Sequence, residues 1–164
     1  MTRKLAGATA TLLLVAGLAV AGCGGGGDDN ASTATAPAQA ALTKPRYIAA
    51  ADKVCKATSD KIAAAATKLR ASASKTGTIP VPQVTRFLQQ TSLPAYEAML
   101  SQLRALTPPK PDETTIDGLI AALAGAIDTA KADPAKYSKN GAADPFDDAN
   151  ARATAYGMKV CGSS

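Results

Sequence analysis

The chain of 164 residues has no histidine and no tryptophan, and it carries only two phenylalanines and two glutamates, Glu97 and Glu113. Without histidine there is no Ser-His-Asp or Cys-His arrangement and no imidazole acid/base. Histidine-ligated metal and haem are excluded too. A di-iron site of a helical bundle needs several inward glutamates and Glu-x-x-His motifs, which two glutamates cannot supply. No Cys-x-x-C pair occurs among the three cysteines, so a redox pair is disfavoured. Asp147-Asp148 could be read as a metal or acid/base pair, but neighbouring helical residues face different ways, and acids in a first turn serve the helix dipole. The expectation is a protein that is not an enzyme and needs no cofactor and no metal. Runs of valine, isoleucine, threonine and aromatics are also missing, and alanine is abundant, which points to an all-α chain with close helix contacts.

The N-terminus has the layout of an export signal. Arg3 and Lys4 are followed by an uncharged stretch from Leu5 to Gly22, with small residues at its exit. That stretch is too rich in alanine, glycine and threonine to be a good permanent span. Val20-Ala21-Gly22-Cys23 resembles the lipobox of bacterial lipoproteins: an aliphatic residue, two small ones, then cysteine. The resemblance implies a signal peptide over 1–22, cleavage between Gly22 and Cys23, and lipidation of Cys23 by acyl chains such as palmitate. Two or three chains give stable membrane attachment where one is marginal. Gly24 to Gly27, then an Ala/Ser/Thr/Pro run to about Thr43, cannot bury enough apolar surface to fold and reads as a flexible tether over 23–43.

A helical bundle domain is expected over 44–164. Its first helix begins near Pro45 and shows steps of three and four along Ile48, Ala51, Cys55, Thr58, Ile62, Ala65 and Leu69, ending by Gly77. The second spans Val81 to Leu106, with Pro94 inside it as a kink or break. The third opens at Asp112 as N-cap and carries Ile116, Leu119, Leu123 and Ile127; Asn140-Gly141 is the tip of the connection that follows. The fourth opens with Asp144 and Pro145, buries Phe146, Ala149, Ala153, Tyr156 and Val160, and stops at Gly162. Short connections favour a small up-down four-helix bundle.

Once lipidation takes Cys23, Cys55 and Cys161 remain in an oxidising compartment, and a disulfide between them is expected; two free buried thiols are the alternative. Such a bond would join the first and last helices. With Cys161 level with Cys55, Phe146 falls beside Leu69 and Tyr156 near Asp60 and Ile62.

Charge is the remaining feature. Lys+Arg less Asp+Glu is 18 − 13 = +5, and loss of Arg3 and Lys4 leaves +3. The first helical region holds eight cations against Asp52 and Asp60, and Lys53, Lys56, Lys61, Lys68 and Arg70 are candidate contacts to an anionic surface. A solvated helix face is the alternative use of those charges. The lipobox, the glycine-rich tether, Ala50 to Cys55 and Tyr156 to Gly162 together resemble small helical lipoproteins of high-GC Gram-positive bacteria. That resemblance implies attachment to the outer face of the cell membrane and brings no activity with it. The functional expectation is a membrane-anchored extracytoplasmic lipoprotein binding an envelope protein or anionic polymer. The alternative is a small-molecule or lipid carrier with a pocket near the kinked second helix, lined by Tyr47, Tyr96 or Tyr156. Nucleic acid is not an expected partner, given export and the lack of interleaved aromatics.

Overall fold

The computed structural model describes residues 40–73, 77–139 and 142–163, which fall within one compact unit. The leader, Gly22, Cys23, the tether up to residue 39 and the Asn140-Gly141 tip lie outside the described residues. The described residues are all-helical, with no strand among them.

Helix α1 (Lys44–Ala71) starts where the sequence places it, with Pro45 in the first turn, where a missing N–H costs nothing. It buries Tyr47, Ala51, Cys55 and Thr58, one stripe at helical spacing. The expected second helix is interrupted, as Pro94 predicts. Helix α2 (Val81–Phe87) passes through a π turn, Leu88–Ser92, into α3 (Leu93–Arg104). Proline lacks an N–H, and its ring would strike the carbonyl four residues back. The turn is widened just ahead of it, with the Leu93 N–H donating to the Leu88 carbonyl five residues earlier, and the chain continues as helix beyond.

A 3-10 turn at Lys110–Asp112 leads into α4 (Glu113–Ala132), whose buried residues run from Ile116 to Ala130. Asp112 stands at the N-cap position but makes no side-chain cap bond; its Oδ2 accepts from the Tyr156 hydroxyl at 2.7 Å instead. The connection expected to be irregular contains a short helix, α5 (Pro134–Tyr137), capped by Asp133 accepting from the Lys136 N–H at 3.0 Å.

The last helix departs most from expectation. Helix α6 (Asp147–Tyr156) starts after Pro145, because Asp144 Oδ1 holds the Phe146 N–H in a local turn at 2.9 Å. It ends at Gly157, not Gly162. Gly157 has φ 103°, a left-handed value that side chains resist, and Met158 N–H returns to the Ala153 carbonyl at 2.9 Å in a Schellman closure. The chain then folds back, burying Met158 and carrying Cys161 into a 3-10 turn, Cys161–Ser163.

Cys55 and Cys161 are joined, with S–S 2.06 Å and Cα atoms 5.2 Å apart. The bond therefore ties α1 to the turn after α6 and does not join two helices. The expected register fails for the same reason. Tyr156 lies edge-on to Tyr47, ring centroids 6.2 Å apart, at the start of α1 and not beside Ile62. Phe146 stacks on Tyr96 of α3 at 4.7 Å and not on Leu69. The core runs through α1, α3, α4, α6 and the C-terminal turn, with Tyr47, Cys55 and Met158 its deepest large residues.

Candidate binding groove

The π turn and the start of α3 form one wall of a groove. Leu88, Ser92, Leu93 and Tyr96 face Ala130 of α4, Tyr137 of α5 and the segment from Ala142 to Phe146. About 300 Å³ of it is open to water. Its walls are mixed, apolar side chains together with Ser92, Lys139 and Asp144, so it would take an apolar body with a polar end.

The stacked pair Tyr96–Phe146 is shared with a second, much smaller space of about 20 Å³ inside the bundle. That space reaches the Cys55–Cys161 bond and is lined by Met99, Leu119, Leu123 and Ala153. The two rings thus stand between the groove and the disulfide. Burial, then the negative charge of Asp144, raise the Tyr96 phenol above its ordinary pKa. It stays protonated and can donate at neutral pH. Tyr156 is raised further, by burial first and then by its hydrogen bond to Asp112. Tyr47 and Tyr156 pack on each other elsewhere and do not join the groove. Among the described residues no three of Cys, Asp and Glu converge for a metal ion.

The cations of α1 are spread along the helix and are not gathered in one compact patch. Lys53, Lys56, Lys61, Lys68 and Arg70 are all exposed, strung over roughly 25 Å of helix at 1.5 Å per residue. Lys56 is occupied by Asp60, at 2.8 and 3.0 Å, an exposed pair one turn apart that contributes a few tenths of a kcal/mol, roughly.

One residue with a large structural role has no advance marker. Asp52 accepts three backbone N–H bonds from the C-terminal turn: Lys159 at 3.1 Å, Val160 at 3.0 Å and Cys161 at 3.1 Å. It lies three residues before Cys55, on the flank of the disulfide. An acid three residues before a cysteine is the signal the sequence offers, and it is indistinguishable from charge balancing on a helix surface.

Compared with family models, with curated proteins and with solved structures, the chain matches none. No helix among the described residues is long and apolar enough to cross a membrane.

Proposed function

We propose that the chain is an extracytoplasmic lipoprotein held to the membrane through acylated Cys23, and that its helical domain is a non-enzymatic binding module. The observation that carries this reading is the Cys55–Cys161 bond. Of three cysteines, two pair with each other, and the third stands at the junction of the leader and the glycine run, where a thioether would form. The partner is an envelope protein or an anionic polymer, met by the cationic outer face of α1. The arrangement of α1, α2–α3, α4 and α6 is read as an up-down four-helix bundle with its last helix cut short.

Metabolic labelling with palmitate tests the anchor. Label is expected on the wild-type chain and none on Cys23→Ser; an unlabelled wild-type protein of full precursor mass sinks the reading. Crosslinking in intact cells tests the module: an adduct is expected that weakens in Lys53→Glu/Lys61→Glu/Lys68→Glu. An adduct indifferent to those changes removes α1 from the interface.

The groove favours a second reading, carriage of a small apolar molecule, because it opens beside the π turn ahead of Pro94. Native mass spectrometry of freshly purified protein is expected, on this reading, to show a bound mass that Tyr96→Ala loses. A spectrum of bare protein removes it.

A further inference from the structure

We infer that the far half of α1 together with α2 forms a surface that lies on an anionic lipid bilayer. This goes beyond the partner proposed above and rests on that reading only for the location of the protein. From Lys61 to Tyr96 the chain has no acidic residue. Lys61, Lys68, Arg70 and Arg86 lie on the helices of this stretch, all exposed. None of them takes part in the ion pairs of the described residues, which engage Lys56, Lys131 and Arg152.

The same stretch leaves its apolar stripe only partly covered. α1 buries four residues up to Thr58 and none from there to Ala71. Its stripe continues at the same spacing as Ile62, Ala65 and Leu69, only half-buried. α2 buries no residue at all, and Val81, 43% exposed, is the large hydrophobic residue that stands out from the described surface. α2 leans on α5, through Thr85 Oγ1 and Ser138 Oγ at 2.8 Å, and makes little contact with α1.

Cations of one sign beside half-covered apolar residues on two successive helices are the composition of an interfacial amphipathic surface. Each cation close to an anionic leaflet strengthens association about five-fold. A soluble anionic polymer would meet the cations but offers no apolar phase to Val81, Ile62 and Leu69. A bilayer interface takes both.

The absence of tryptophan makes the test direct. Val81→Trp in the full mature protein, reconstituted into vesicles, is a single reporter, with Gln102→Trp on exposed α3 as control. In vesicles of phosphatidylcholine with about one third phosphatidylglycerol, the emission of the Val81→Trp protein is expected to shift to the blue and to be quenched by brominated lipid, while that of the control is not. In pure phosphatidylcholine the shift is expected to vanish, as it is in the anionic vesicles after Lys68→Gln/Arg70→Gln/Arg86→Gln. Equal spectra in the two vesicle types, or a shift that survives the triple change, overturn the inference. So does a shift produced only by a soluble polyol-phosphate polymer. The mass of the same preparation reports acylation of Cys23 separately. A bare Cys23 defeats the anchor while the spectra still decide the surface.

Discussion

Replacing both cysteines, Cys55→Ala/Cys161→Ala, is expected to cost about 4–5 kcal/mol of folding stability, a large share of the roughly 5–15 kcal/mol that holds a domain folded. The bond closes a loop with a sequence separation of 106, so its loss frees nearly the whole domain in the unfolded chain. The core has little to offset that loss. Many of its buried residues are alanines, Ala51, Ala95, Ala126, Ala130, Ala149 and Ala153, each contributing little apolar area. Thermal or urea unfolding of the double variant against wild type measures the difference. A midpoint shift below about 5 °C, near 1 kcal/mol for a chain of this length, would show that the bond is incidental to stability. Single-cysteine variants are expected to be worse than the double one, since each leaves a thiol free to pair with another molecule. Ellman titration of the denatured, unreduced wild-type protein is expected to find no thiol in Cys55 or Cys161.

Changing Asp52 to alanine is expected to cost about 2–4 kcal/mol with the disulfide intact. Three N–H groups of the C-terminal turn lose a charged acceptor, and hydrogen bonds to charged groups contribute about 1.5–3 kcal/mol each before allowance for their partial exposure. Asp52→Asn keeps one acceptor oxygen in place and is expected to recover about half of the loss. Hydrogen exchange separates this role from a general one. The amides of Val160 and Cys161 should lose protection in Asp52→Ala well before those of α4, because the turn frays while the helices stay packed. Uniform loss across all helices, or no loss at the turn, contradicts the assignment. The disulfide and Asp52 hold the same turn, so their effects are not expected to add.

The helical class was legible in the sequence because it rests on local properties. The stripe Ala51, Cys55, Thr58 has one spacing in sequence and in space, and Pro94 acts on its own turn. The pairing of Cys55 with Cys161 is the one expected from the sequence, although it joins a helix to a turn and not the two helices expected. The place where the last helix stops was not legible. Gly157 and Gly162 are equally good terminators by residue type, and the choice fell to burial of Met158 and capture of the turn by Asp52. Those glycines are five positions apart, and that difference moves Tyr156 from the middle of α1 to its beginning.

The groove was half legible. Proline in the second helix pointed to an opened wall, and Tyr96 was among the aromatics expected there. Its other wall comes from α5 and the segment before α6, whose turns are set by Asp133 and Asp144.

By itself the sequence determined the helical class by alanine content and spacing and the broken second helix by Pro94, and it pointed to Cys55 and Cys161 as the pair; the short α5 read only as a polar connection. Only the tertiary structure decided where the chain turns back and which side chains then meet. Asp52 and its three donors are more than 100 residues apart along the chain. No local pattern encodes such a distance, because it is set by how completely α1, α4 and α6 can bury their stripes against one another.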